Sequence, residues 1–168
     1  MAIREALVPE LAMEAAATRK LLERVPEEKL DWKPAEKSMT LSRLATHLAE
    51  LPNWGVEALT TDELDINPPG GEPYKPVELR TVSEILEHFD SSIAKLLEAL
   101  KSASDEDLMK PWTLKNAGEA IFTQPKVGVL RGMVLNHAVH HRGQLSVFLR
   151  LNGVPIPATY GPSADEGM

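Results

Sequence analysis

Four long stretches of this 168-residue chain repeat their apolar residues every third or fourth position, and no convincing two-residue alternation competes with them. That period lines residues along one stripe of an α-helix, and the stripe must be buried against another element. The first stretch runs from about Ile3 to Val25, with Leu7, Leu11, Ala15, Thr18, Leu22 and Val25 on its stripe. Proline is tolerated in the first turn of a helix, so Pro9 predicts a regular helix starting near Val8, and Pro26 ends it. The second stretch follows Thr40, a fitting N-cap, and carries Leu44, His47, Leu51, Trp54 and Ala58; Pro52 inside it predicts a kink or a break after Leu51. Thr81 and Glu84 have capping-box spacing and open the third, with Val82, Ile85, Phe89, Ile93, Leu96 and Leu100. The fourth starts near Pro125 and stops at Gly153, with Pro155 and Pro157 beyond.

Between these stretches the chain reads as connections. Residues 61–80, rich in Pro, Gly and Asp, predict a long surface loop between helices two and three. Ser104 before Asp105, Glu106 and Asp107 suggests a short extra turn, and residues 109–124 read as irregular, anchored by Trp112. With no internal repeat or linker, residues 1–168 read as one all-α domain, a four-helix bundle.

Composition narrows the function. Counting 18 basic and 25 acidic residues gives a net charge of −7, with no basic cluster, which argues against nucleic acid as a partner. Cysteine is absent, so there is no thiolate ligand and no cysteine nucleophile. The opening residues Met-Ala-Ile-Arg-Glu lack a signal peptide's apolar core, and no apolar run approaches the length of a membrane span. A cytoplasmic protein without a membrane partner is expected.

The seam of the fourth helix reads Val127, Leu130, Val134, His137, His141, Gln144, Phe148, Leu151, with three polar residues in its middle. Burying a polar side chain without a partner costs roughly 1 to 3 kcal/mol, so something must compensate. His137 and His141, four residues apart, lie on one helical face and can reach one metal ion. His47, on the stripe of helix two, is a third candidate if the two helices face each other across the core. Three neutral imidazoles with open positions beside them suit zinc, nickel or iron(II). A single histidine on an apolar stripe is more often a hydrogen-bonded core or boundary residue, so the convergence of the two helices decides the matter. Glu50, one turn after His47, reads first as a partly exposed carboxylate and second as a group that orients His47 or meets metal through water. His140 reads as a boundary residue, His88 as solvated, and Arg142 as a surface or dimer residue pointing away from the seam. Gln144 is placed to hydrogen-bond a ligand or a metal-bound water, and Trp54 to pack the core or line the pocket.

Several motifs are absent. His137-Ala-Val-His-His141 lacks the glutamate of His-Glu-x-x-His, the base of zinc proteases. Helix four has no glutamate, which disfavours a four-carboxylate di-iron bundle. There is no Gly-rich phosphate loop and no Gly-x-Ser-x-Gly elbow.

Leu30-Asp31-Trp32-Lys33-Pro34, then Ser38-Met39-Thr40-Leu41, then His47, resembles the opening of the DinB family of DNA-damage-inducible metal-binding proteins, which is distinct from the DNA polymerase of the same name. Asn136-His137-Ala138-Val139-His140-His141-Arg142-Gly143-Gln144-Leu145 resembles its second signature, and the tail from Val154 to Glu166 matches as well. The resemblance implies a bundle with up-down-down-up topology, often a homodimer, holding a divalent metal on His47, His137 and His141. Family members include S-transferases and isomerases that use bacillithiol, mycothiol or glutathione, and related proteins are metal-dependent hydrolases. Fold and site carry over better than chemistry. The leading expectation is therefore a metal-dependent S-transferase that joins a low-molecular-weight thiol to a small electrophile. The alternatives are a metal-dependent hydrolase, with Glu50 as the base in sight, and a non-catalytic metal-binding stress protein. No catalytic residue beyond the metal ligands is singled out.

Overall fold

The structure, a computed structural model, describes residues 2–167. The helices are α1 (Ile3–Leu22), α2 (Leu41–Thr60), α3 (Val82–Ser102), the short α4 (Asp105–Met109), α5 (Lys126–Val129) and α6 (His137–Leu151). A π-helical segment, Leu130–Asn136, joins α5 to α6 without a gap. The predicted caps form: Thr40 Oγ1 accepts the Arg43 N–H, and Thr81 and Glu84 close a capping box. Ser104 caps α4 in the same way, and Gly153, at φ 73°, ends α6 in the left-handed conformation that glycine adopts most readily.

α2 packs against α3 and α6, and α1 packs against the same two helices. Their stripes form two apolar clusters. One gathers Leu22, Leu44, Leu48, Leu51, Ile85, Phe89, Leu145 and Leu149; the other gathers Leu7, Leu11, Leu96, Leu100, Leu130 and Val134. Each such side chain removed from water contributes about 1.5 to 3 kcal/mol, which holds the helices against their conformational entropy.

Both internal prolines are better tolerated than the sequence suggests. α1 begins at Ile3 and passes through Pro9, because Pro9 and the Glu5 carbonyl it leaves unpaired lie on the exposed side, open to water. α2 runs unbroken through Pro52 to Thr60, with the buried residues Leu48, Leu51, Gly55 and Ala58 continuing its packed face on both sides of the proline. Local propensity yields there to tertiary burial.

A small sheet departs from the all-α expectation. β1 (Glu63–Asp65) pairs parallel with β2 (Pro111–Asn116), and β2 pairs antiparallel with β3 (Glu119–Pro125), in the order β1-β2-β3. Residues 111–125 are therefore a hairpin, where sequence predicts irregular chain. Ala117 and Gly118, at φ 53° and 84°, make its two-residue turn, the backbone that matches strand twist in tight hairpins. Trp112 and Leu114 alternate inward onto Ala58 and Val129, and the Trp112 indole N–H donates to Thr61 Oγ1 at 3.1 Å. The buried Lys126 ammonium donates to the Thr61 carbonyl at 2.6 Å, serving the C-terminal end of α2.

Candidate metal centre

The buried face beyond Asn136 departs from the seam expected from sequence, whose steps of three and four residues average below the 3.6 of an α-helix and drift off that face. Leu145 and Leu149 are buried where Gln144 and Phe148 were expected, and Leu151 is 61% exposed. Arg142, expected on the surface, is 3% exposed. Its guanidinium donates to the Glu14 carboxylate at 2.5 Å, to the Glu14 carbonyl at 3.0 Å and to Tyr160 Oη. This buried pair fixes α6 to α1 and holds down the C-terminal tail next to His141.

The same register turns His137 and His141 toward α2, where His47 meets them. Ring centroids are 5.0 Å apart for His47 and His137, and 4.6 Å for each of the other two pairs. The His137 Nε2 lies 2.8 Å from His141 Nε2 and 3.4 Å from His47 Nε2. Behind each ring stands an acceptor for the other nitrogen. His141 donates from Nδ1 to Gln144 Oε1 at 2.7 Å, His137 is backed by the Met133 carbonyl, and His47 Nδ1 is 3.9 Å from Glu50 Oε2. With the proton of His141 on the Nδ1 that faces Gln144, its Nε2 lone pair points at the Nε2 of His137, and the His47 Nε2 completes a group that a shared cation can bridge.

The donors fit a divalent ion. Two nitrogens about 2.0 to 2.1 Å from one metal, at angles near 90° to 109°, lie roughly 2.9 to 3.4 Å apart. The separations of 2.8 and 3.4 Å lie at the two ends of that span, and the three donor atoms all fall within 4.8 Å of one another. Protonation agrees too. Burial pushes the His141 imidazole down to about 4, against its bond to Gln144 and with help from the neighbouring imidazoles, and burial also lowers His137. Both are neutral near pH 7, the form a metal requires.

Glu50 is 2% exposed, not the partly exposed carboxylate its type suggests. Burial alone would raise its carboxyl, but the His47 ring, Arg43 and the Val77 N–H outweigh that and hold it at about 2. Arg43 Nη1 donates to Glu50 Oε2 at 2.8 Å, and the Val77 N–H and Tyr74 hydroxyl donate to Oε1 at 2.6 and 3.4 Å. Glu50 therefore stands behind His47 and also ties residues 74–77 of the long loop to α2. Sequence reasoning missed Tyr74 and Val77, because a loop of this composition carries no periodic signal. The other sequence candidates lie outside the cluster. His140 is exposed, though its ring is 4.9 Å from that of His141. His88, expected to be solvated, is half-buried with its Nε2 3.2 Å from Asn53 Nδ2. Gln144 serves His141 directly, and Trp54 is half-buried beside Tyr74.

Helical packing and three histidines on two helices define a class, and the comparisons agree with it. The model of the DinB superfamily matches residues 10–145, and the chain belongs to that family. The YrdA protein of Bacillus subtilis (strain 168) is 28% identical over 153 residues, covering 91% of this chain and 85% of that protein. A DinB-like protein from Bacillus cereus ATCC 10987 superposes with a TM-score of 0.70 at 24% identity, over 93% of this chain and 97% of that one. The DinB-like YjoA of Bacillus subtilis does so with a TM-score of 0.69 at 17% identity, over 92% and 97%.

Proposed function

We propose that this protein is a divalent-metal-dependent enzyme, an S-transferase joining a low-molecular-weight thiol to a small electrophile, with His47, His137 and His141 as the metal ligands. One observation carries the reading: among the described residues the cluster offers three imidazoles and no fourth donor side chain. Structural zinc sites are generally closed by four protein ligands, whereas three leave positions free for reactants. A zinc, nickel or iron(II) ion there would supply Lewis acidity, favouring the ionised form of a thiol or water. The chain's own residues provide orientation. Gln144 fixes the His141 tautomer, and Glu50 stands behind His47.

The absence of cysteine supports an external thiol, since the chain has no sulfur nucleophile of its own. Hydrolysis is less well supported. Glu50, the nearest carboxylate, is held at about 2 and engaged by Arg43 and Val77, which makes it a poor general base near neutrality. The up-down-down-up helix order and a homodimer belong to the same reading. Val139, Val147 and Leu151, exposed at four-residue multiples along α6, support a subunit contact, and light scattering of the purified protein tests it. No helix among the described residues is long and apolar enough to cross a membrane.

Elemental analysis together with a panel of thiols and electrophiles tests the proposal. Electrophile consumption is expected only when thiol is added, and it should disappear in His141→Ala. Metal-loaded protein that turns over esters or amides equally well without thiol would overturn the transferase reading in favour of hydrolysis.

A further inference from the structure

On the loop side of α2, Glu50 shares a cleft of about 180 Å³ with residues that the metal reading does not use. Glu50, Asn53, Trp54 and Glu57 come from the helix, while Leu64, Tyr74 and Val77 close it from the following strand and loop. The Trp54 and Tyr74 rings lie 5.2 Å apart, tilted by 56°, and form an aromatic wall. Two of the polar groups that line it are already engaged: Glu50 by Arg43 and Asn53 by His88. Glu57 is different. It is half-buried, and its carboxylate forms no ion pair among the described residues.

This lining selects by charge. An anion would meet the Glu50 and Glu57 carboxylates with no cationic side chain in the lining. An uncharged apolar ligand would strip water from the Glu57 carboxylate and return nothing for it. A small organic cation satisfies both surfaces, its charge opposite Glu57 and its alkyl shell on the faces of Trp54 and Tyr74. We infer that the cleft bounded by Trp54, Tyr74 and Glu57 binds an alkylammonium group. Ten residues of helix, about 15 Å, separate Glu57 from His47, so a ligand touching both ends is an extended one with its cationic end remote from the imidazoles. That orientation rests on the metal reading. Binding of the cation itself does not, because the cleft is built without the histidines.

The test is calorimetric titration of the full chain with choline and with its uncharged carbon isostere, before and after treatment with a chelator. Choline is expected to bind about tenfold more tightly than the isostere, and Glu57→Gln should remove most of that preference while leaving binding of the isostere unchanged. Trp54→Leu should weaken both, and circular dichroism identifies any loss of fold in that variant. Equal binding of the two probes, no binding by either, or a choline affinity untouched by Glu57→Gln would overturn the inference. Choline binding that persists in protein devoid of metal would sustain it even if the metal reading failed. A full metal complement with no choline binding would sink the cleft and spare the metal site.

Discussion

Glu50→Gln probes the link between the loop and the metal site. A carboxyl held at about 2 instead of its usual 4.5 favours the ionised native state by roughly 3 kcal/mol. Glutamine keeps the shape, and its carbonyl can still accept the Val77 N–H. Its amide, however, offers Arg43 Nη1 a donor where it had an acceptor at 2.8 Å, and the charge behind His47 is gone. Metal-free Glu50→Gln should therefore lose about 2 to 3 kcal/mol, which for a chain of this size lowers Tm by roughly 4 to 12 °C. Changes behind a ligating histidine typically reduce metal affinity by about 10- to 100-fold, so a metallochromic chelator should strip the variant at correspondingly lower concentration. The pH dependence has a definite sign. The folded pKa lies below the unfolded one, so the carboxylate's contribution is complete above about 4.5 and is lost as pH falls toward 2. Thermal melts of metal-free protein across that window should converge for wild type and variant at the acid end. Metal affinity within twofold of wild type would refute the orienting role of Glu50 and leave it only as an anchor of the loop.

His141→Ala should lose the roughly one divalent ion per chain expected of native protein, together with the stability that binding adds, about 4 kcal/mol at a free metal concentration a thousandfold above Kd; equal metal content by mass spectrometry would defeat the assignment. Arg142→Met should cost about 3 kcal/mol in denaturant unfolding, because it leaves the largely buried Glu14 carboxylate without its cation and with only the Tyr160 hydroxyl as donor, and a cost below about 1 kcal/mol would remove Arg142 as the link between α1, α6 and the tail. In metal-free protein His141 is depressed from 6.5 to about 4, so the unfolded chain takes up its proton first; stability should fall by up to about 3 kcal/mol between pH 6.5 and 4, and His141→Gln should flatten that slope.

How far the sequence reached follows from which interactions are local. Stripes and caps are short-range, so Leu7 through Val25, the Thr81–Glu84 box and the Gly153 stop could be read from spacing alone and stand where they were expected. The histidine pair on helix four was also legible, because residues four apart share a face in α- and π-helical surroundings alike. Its meeting with His47 is a tertiary fact that no spacing contains. The hairpin had a signal that was passed over: Asn116-Ala117-Gly118 between Trp112-Thr-Leu114 and Ala120-Ile-Phe122 is turn chemistry flanked by strand formers. The π-helical segment had none, and the largest error lies in the seam that runs through it and beyond. Its steps of three and four residues fall short of the helical mean of 3.6, and the accumulated drift left Arg142 and Leu145 off the expected stripe and put the exposed Leu151 on it. A strict 3.6-residue count from Val127 reaches the buried Leu145 and then falls between Phe148 and Leu149. α6 gives Arg142 its partners on α1 and in the tail while His141 faces His47, so one helix serves both the metal cluster and the packing that holds it.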